Sequence, residues 1–432
     1  MSGRIVLACW GSYGDLFPYL AVATRLRERG HQPVIATAPY YRDLVGQTGL
    51  AFHPMRPALD PSDTALIARV MDPARGSRVV IGEVTAPAVR DAFEDLAPVV
   101  RTADLVVTHP ITFAAPLAAR AHGVRWLSSV LAPTSFFSMT DYPVLPPLPP
   151  AVQIWRHKPW AARAFFRIAR RITRPWTEPV RALRAELRLS DTGEPLYEGQ
   201  FSPHGTLALF SRLLAAPQAD WPPATRVTGF AFHDDITPTA PEVGRFLDDG
   251  EPPVVFTLGT SAVGAAGAFY RESVEAARAI GRRALLLVGR QDRAFLARPL
   301  PSGMLAVDYA PHYLVFSRAA VVVHHGGIGT TARALAAGRP MLVVPHAHDQ
   351  PDNAHRVARL GVARVVDARR YQARRVAAAL ERLLMESGYR TAAERACKVL
   401  ASEDGPGAAC EAIEAALALE RPTFRSARTR PV

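Results

Sequence analysis

Cysteine is scarce in this chain: Cys9, Cys397 and Cys410 are the only three among 432 residues, an odd number with no CxxC spacing. That excludes a disulfide framework or a thiolate zinc site as the organising principle, and it makes the reducing cytoplasm the simpler home. An amino-terminal leader is not expected either. The chain enters the strand-like Arg4-Ile-Val-Leu-Ala-Cys-Trp10 almost at once, without a basic segment, a long apolar core and a small-residue cleavage site, so secretion is not expected. No apolar run approaches the length that spans a bilayer, which restricts any membrane contact to a peripheral one. There is no internal repeat. Low complexity is confined to a proline cluster and a basic tail from Arg421 to Val432 that is expected to fray.

Acidic residues are in deficit, 39 against 51 Lys and Arg, for a net charge of +12. The excess is uneven. Arg156, Lys158, Arg163, Arg167, Arg170, Arg171, Arg174, Arg181, Arg184 and Arg188 fall in one short region whose only acids are Glu178 and Glu186, interleaved with Trp155, Trp160, Phe165, Phe166 and Trp176. Such an amphipathic, basic-aromatic segment suits an anionic lipid surface, or equally a solvated helical face. The aromatics match no base-stacking module, so nucleic acid is not the expected partner.

What is abundant is apolar sequence, 49% of the chain, and at this length it suits two domains. Ile5 to Trp10, Leu16 to Arg29, Pro33 to Ala38 and Tyr40 to Gly49 alternate strand and helix, with further strands at Leu105 to Thr108 and Trp126 to Val130. Pro143-Val-Leu-Pro-Pro-Leu-Pro-Pro150 reads as a surface loop, because proline removes donors and restricts its neighbour. A fresh α/β pattern follows, with strands at Val254 to Leu258, Ala284 to Val288, Met304 to Val307, Ala319 to Val323 and Met341 to Val344. Two doubly wound, Rossmann-like domains facing one cleft are therefore expected: residues 1–216, a linker at 217–241, residues 242–410, and a terminal helix with a basic tail at 411–432.

The densest chemistry lies in Val321-Val-Val-His324-His325-Gly326-Gly327-Ile328-Gly329-Thr330-Thr331 and in Pro345-His-Ala-His-Asp349-Gln350-Pro-Asp-Asn353. A buried strand delivers two histidines, then small residues whose backbone N–H groups at a helix start suit a diphosphate. A second strand delivers a carboxylate and an amide matched to adjacent sugar hydroxyls. Gly327-Ile-Gly329-Thr-Thr-Ala332 also fits the dinucleotide fingerprint, with Asp349 about twenty residues on. Against an oxidoreductase, two histidines separate these glycines from their strand, the unit lies late in the chain, and Asp349 sits past its strand. A turn with glycines for packing alone would leave the His pair and the Asp-Gln unexplained.

These residues resemble the nucleotide-sugar-dependent glycosyltransferases of GT-B fold over nearly the whole chain. Tyr309-Ala-Pro-His312, His324 to Thr330, Gly338-Arg-Pro340 and Asp349-Gln350 resemble the donor signature of plant, macrolide and antibiotic glycosyltransferases. Gly11-Ser-Tyr-Gly-Asp15-Leu-Phe-Pro18 looks like the form in sterol, glycopeptide and rhamnolipid glycosyltransferases. The pattern of Phe256 to Ser261, Tyr309-Ala-Pro311 and Ala347 to Asn353 is nearest that of the rhamnosyltransferase of rhamnolipid synthesis. The resemblance implies that Tyr309 stacks on the base and His312 meets its edge. His324 would touch the diphosphate, with Gly327, Ile328, Gly329 and Thr330 supplying donors and Ser12, Thr260 and Ser261 approaching the donor as well. Asp349 and Gln350 would hold the sugar.

Two departures from the plant type matter. Asp15 stands where those relatives carry a catalytic histidine, which implies a carboxylate base, with basicity expected to be raised by enclosure. Read from the residues alone, Asp15 is equally a cap of the following helix; His109 and His122 are the substitutes if it is not the base. Ala332 replaces the glutamate that bonds ribose in uridine-diphosphate users, which tilts the donor towards a thymidine-diphosphate sugar such as rhamnose. Phe113, Phe136, Phe137 and Tyr142 are candidate linings of an apolar acceptor pocket. The expected enzyme is an inverting hexosyltransferase with a dTDP- or UDP-sugar as co-substrate, no metal, no other cofactor, and a lipid-like or natural-product acceptor. A nucleotide-sugar epimerase of the same fold and a non-catalytic basic peripheral binder are the alternatives.

Overall fold

The computed structural model describes residues 2–58, 63–146, 158–234, 239–259, 266–289 and 293–419. Seven parallel strands form the first sheet: β1 (Arg4–Ala8), β2 (Gln32–Thr37), β3 (Ala51–Pro54), β4 (Leu105–Thr108), β5 (Arg125–Val130), β6 (Thr206–Ala208) and β7 (Thr225–Val227), in the order β3-β2-β1-β4-β5-β6-β7. Six more form the second: β8 (Val254–Thr257), β9 (Ala284–Leu287), β10 (Met304–Val307), β11 (Val321–His324), β12 (Met341–Val343) and β13 (Ala363–Val365), in the order β10-β9-β8-β11-β12-β13. Every residue of β4, β8, β9 and β11 is buried. Helices cover both faces, so these strands need continuous apolar runs and not alternation. Each fully buried valine or leucine contributes roughly 1.5–3 kcal/mol.

The strand order fixes where ligands can enter. From β1 the first sheet grows outward through β2 and β3, then resumes on the other side at β4; from β8 the second grows through β9 and β10, then resumes at β11. Crevices open at the carboxyl ends of such switch points. Asp15 follows β1 and His109 follows β4, while His324 closes β11, so the candidate chemistry falls at both crevices.

Several boundaries depart from the sequence reading. β7 pairs with β6 inside the stretch expected to be a linker, so the first sheet extends to Val227. The expected helix Tyr40 to Gly49 is a 3-10 turn, Pro39–Tyr41, followed by a shorter helix, Arg42–Gln47. The last helix, Gly405–Ala418, begins earlier than expected and returns to the first domain, where Ala409, Cys410, Ile413 and Ala416 join the core built on Ile5, Leu7, Leu20 and Leu26. Its Glu414 pairs with Arg29 (2.9 Å) and lies 3.3 Å from His31.

A buried ionic network also joins the domains. Arg356, on the helix Gln350–Arg359, pairs with Asp352 (2.7 Å) and with Asp141 of the first domain (2.5 Å), and donates to the Leu214 carbonyl. Asp352 in turn accepts the Val144 amide at 2.9 Å. The basic-aromatic segment forms the helix Pro159–Thr173, a 3-10 turn, Arg174–Thr177, and the helix Glu178–Glu186, the first of these seated on the domain through Ala162 and Phe166. Residues 147–157, with Trp155, Arg156 and part of the proline loop, lie outside the described residues, as do residues 420–432 of the tail.

Candidate active site

The turn after β1 is built around its carboxylate. Ser12, and not Asp15, is the N-cap of the helix Tyr13–Glu28: its hydroxyl accepts the Gly14 amide (3.2 Å), and Asp15, at the third helical position, reciprocates by accepting the Ser12 amide at 2.7 Å and its hydroxyl at 3.0 Å, all on Oδ2. Gly11 permits this at φ +142; a Cβ there would lie 2.2 Å from Asp15 Oδ2. The second oxygen, Oδ1, faces Nε2 of His109 at 3.5 Å, and the Asp15 side chain is 32% exposed. The hydroxyl of Ser12 is thus engaged in the cap.

Burial acts to raise the Asp15 carboxyl, but hydrogen bonding and electrostatic attraction from His109, with the two bonds from Ser12, outweigh it. The net direction is down. The expectation that enclosure would raise its basicity is corrected, because the same enclosure supplies donors to the charged form. His122, the other substitute base, closes the far end of the helix Ala114–Ala121 just before β5 and stacks on Phe93 at 6.3 Å, away from the carboxyl ends of the strands.

Across the cleft, His324 ends β11 fully buried. Its Nδ1 accepts the Gly326 amide (3.1 Å), so Nε2 carries the proton, and among the described residues that Nε2 has no partner. Burial, reinforced by His312, lowers its pKa to about 3. It therefore offers a neutral N–H, not a cation, to whatever occupies the site. Gly327 is the N-cap of the helix Ile328–Ala336, which puts the amides of Ile328, Gly329 and Thr330 in the first turn, where the helix supplies them no acceptor. His325 is wedged between glycines: a Cβ at Gly259 or Gly327 would lie 2.5 or 2.4 Å from its ring.

Asp349 and Gln350 begin the next helix. Gln350 is buried and spends its Oε1 on the amides of His346 (2.9 Å) and Ala347 (3.1 Å), which shapes the loop and leaves its NH2 for a ligand. Asp349 accepts from Asn353 at 2.6 Å, and Asn353 also holds the Gly326 carbonyl at 3.0 Å. Burial, with the charge of Asp15 adding to it, pushes the Asp349 carboxyl up to about 7. His348, which the sequence reading passed over, stands between the domains at φ +57, hydrogen-bonds the Val70 carbonyl and feels the charge of Asp15. The two crevices meet: a Cβ on Gly329 would lie 3.4 Å from the Gly14 Cα.

Of the remaining candidates, Tyr309 and His312 are half-buried, with the His312 ring stacked on Phe316 at 4.5 Å. Thr260 and Ser261 lie outside the described residues. Phe113 lines a small pocket beside His109 with Pro110, Leu117, Val180 and Gln200. Phe136 does not line it: stacked on Trp221 at 4.1 Å, it belongs to the core. Phe137 and Tyr142 pack with Phe166 and seat the basic-aromatic helix. Ala332 is also core, 3% exposed.

Comparison with known proteins gives the family and the fold. Residues 5–86 match the family described as glycosyltransferase family 28 N-terminal domain, and residues 279–416 that described as erythromycin biosynthesis protein CIII-like, C-terminal domain. The chain is 33% identical over 440 residues to the O-mycaminosyltylonolide 6-deoxyallosyltransferase of Streptomyces fradiae, across 95% of this chain and 97% of that one. It is 30% identical over 432 residues to glycosyltransferase GtfE of Amycolatopsis orientalis, across 97% and 99%. The spinosyn rhamnosyltransferase SpnG complexed with thymidine diphosphate superimposes with a TM-score of 0.67 over 95% of this chain and 100% of that one; at 18% identity this likeness to a rhamnosyltransferase is one of fold.

Proposed function

Because the chain belongs to the glycosyltransferases of GT-B fold, we propose that it transfers a hexose or deoxyhexose from a nucleoside diphosphate to a hydroxyl of an apolar natural product or sterol-like acceptor, with inversion at the anomeric carbon. The observation that carries the chemistry is the meeting of two turns: Asp15, its side chain partly exposed, follows Gly14, whose Cα would lie 3.4 Å from a Cβ on Gly329 in the first turn of the helix Ile328–Ala336, and that helix begins just after His324, whose Nε2 has no partner among the described residues. The acceptor hydroxyl gives its proton to Oδ1 as its oxygen bonds the anomeric carbon. The bond from that carbon to the diphosphate breaks on the opposite face, and the departing charge meets the His324 N–H and the helix amides. Asp349 and the Gln350 amide bind the sugar hydroxyls, and Tyr309 with His312 the base.

A thymidine diphosphate is the favoured donor nucleotide. A relative of the same fold, the spinosyn rhamnosyltransferase, carries thymidine diphosphate, whereas Ala332, which suggested the same nucleotide in the sequence, faces the core and supports no choice. An apolar acceptor is favoured by the relative whose name gives O-mycaminosyltylonolide as what it glycosylates. An anionic membrane surface is the proposed further partner, met by the helix Pro159–Thr173.

A crossed screen of nucleotide sugars and acceptors, read by mass spectrometry, tests this reading. Asp15→Asn keeps the capping acceptor and should lower turnover about 10²–10⁴-fold with donor affinity unchanged. His324→Ala should lower it about 10²–10³-fold, as for one oxyanion donor. Asp15→Asn enzyme with most of its turnover would sink the mechanism, and free sugar nucleotide isomerised without an acceptor would favour the epimerase.

A further inference from the structure

The carboxylate and imidazole at the first switch point form a pair with divided roles, and we propose that His109 is the positioning residue that keeps Asp15 ionised and aimed, without ever accepting the substrate's proton. The proposal rests on the reading of Asp15 as base. Its ground is the ring's hydrogen-bonding frame. His109 follows β4, 7% exposed, with its backbone pinned three ways: its amide donates to the Ala8 carbonyl (3.1 Å) and the Thr112 hydroxyl (3.1 Å), and its carbonyl accepts from that hydroxyl at 2.7 Å. The ring edge of Tyr19 meets it at a centroid distance of 6.0 Å, and the Tyr19 hydroxyl is itself held by Ser129 at 2.5 Å.

Within that frame the two nitrogens are not equivalent. Nδ1 accepts the backbone N–H of Ile111 at 3.5 Å, so the ring proton must sit on Nε2, the atom 3.5 Å from Asp15 Oδ1. A nitrogen that already carries its proton towards the cleft cannot take another there. It can only donate. Oδ2 is fully engaged by Ser12, so His109 sets the orientation and charge of the one oxygen left for the acceptor. The division differs from a charge relay: the proton removed from the acceptor ends on Asp15, and the imidazole lowers the cost of keeping that carboxylate charged before the reaction.

Other titratable groups face Asp15. Cys9, Tyr19 and Tyr41 approach it from the first domain, each pushed up by burial and hence uncharged, and His348 and Asp349 approach from the second. Asp349 titrates near neutrality, so the effect of His109 must be read as a difference between proteins that all retain Asp349.

The experiment is the pH profile of kcat/KM for the wild type, His109→Leu, His109→Gln and Asp15→Asn, each checked for folding by melting temperature. The glutamine amide can stand where Nε2 stands. In His109→Leu the acid limb should move up by at least about one pH unit, a tenfold loss on the acid side that recovers as pH rises. In His109→Gln the limb should return towards the wild-type position. An unmoved limb in a folded His109→Leu protein overturns the proposal, and so does a His109→Gln protein as inactive as Asp15→Asn, which would make His109 the base. If His109→Leu does not fold, His109→Gln decides alone, since a group acting as base has no substitute in an amide. Failure of the underlying reading is seen separately, as turnover that survives in Asp15→Asn.

Discussion

Asp349 shows at the scale of one residue how binding chemistry is purchased against stability. Its carboxyl is half-buried and feels the charge of Asp15, with one amide from Asn353, and is displaced from the ordinary 3.8 to about 7. A raised folded-state pKa stabilises the fold fully only below the unfolded value of about 4, and that contribution is lost as pH rises through about 7. Asp349→Asn should therefore melt higher than the wild type above neutrality. The difference should grow between about pH 4 and 7 and level off beyond. Scanning calorimetry across that range checks the sign; a difference in melting temperature that shrinks with pH would be incompatible with a half-buried, reluctant carboxylate. Sugar selection should blur in the same variant, since a bound sugar hydroxyl donates to the ionised form. The sequence disclosed Asp349 through its motif but not its environment, and it named Ala332 without disclosing that it faces the core, where Ala332→Glu would bury a charge.

At the scale of the element, the turn Gly11 to Asp15 concentrates strain and function in the same few atoms. Gly11→Ala places a methyl 2.2 Å from the Asp15 carboxylate at φ +142, whereas a Cβ on Gly14 meets only the Ser12 hydroxyl at 3.4 Å. Gly11→Ala should cost about 1–3 kcal/mol of stability and lower turnover towards the level of Asp15→Asn, while Gly14→Ala retains far more of both. Parallel turnover and melting curves test this, and equal turnover in the two variants would contradict it. The elements themselves were legible wherever apolar runs were long enough: β1, β4, β8, β9 and β11 all lie within the stretches their buried valines, leucines and isoleucines announce, apart from ends shifted by a residue. The strands β3, β6, β7 and β13 were not, because Ala51-Phe-His-Pro54, Thr206-Leu-Ala208, Thr225-Arg-Val227 and Ala363-Arg-Val365 offer no continuous apolar run and owe their conformation to the strand alongside. The Arg356 network was equally hidden, since Asp141 and Asp352 are brought together only by the packing of two domains.

For the whole molecule, the helix Pro159–Thr173 leaves Trp160, Ile168 and Ile172 exposed, 69%, 59% and 59%, beside Arg163, Arg167 and Arg171. No helix among the described residues is long and apolar enough to cross a membrane, so this surface would rest on one. The protein should co-sediment with vesicles containing phosphatidylserine, less at high salt, each arginine contributing about 1 kcal/mol. Ile168→Ser with Ile172→Ser should abolish that while leaving thymidine diphosphate affinity intact. Wild-type protein that stays in the supernatant at low salt would remove the membrane from the reading.

The returning helix Gly405–Ala418 has a further consequence, one of time. It fills a face of the domain that begins with β1, and Glu414 reaches Arg29 and His31 nearly four hundred positions earlier. On the ribosome, the domain synthesised first must wait with that apolar face open until the second domain has been made and the last helix has emerged. The half that carries Asp15 is thus the first to be started and the last to be finished, and newly made chains are most exposed to aggregation in that interval.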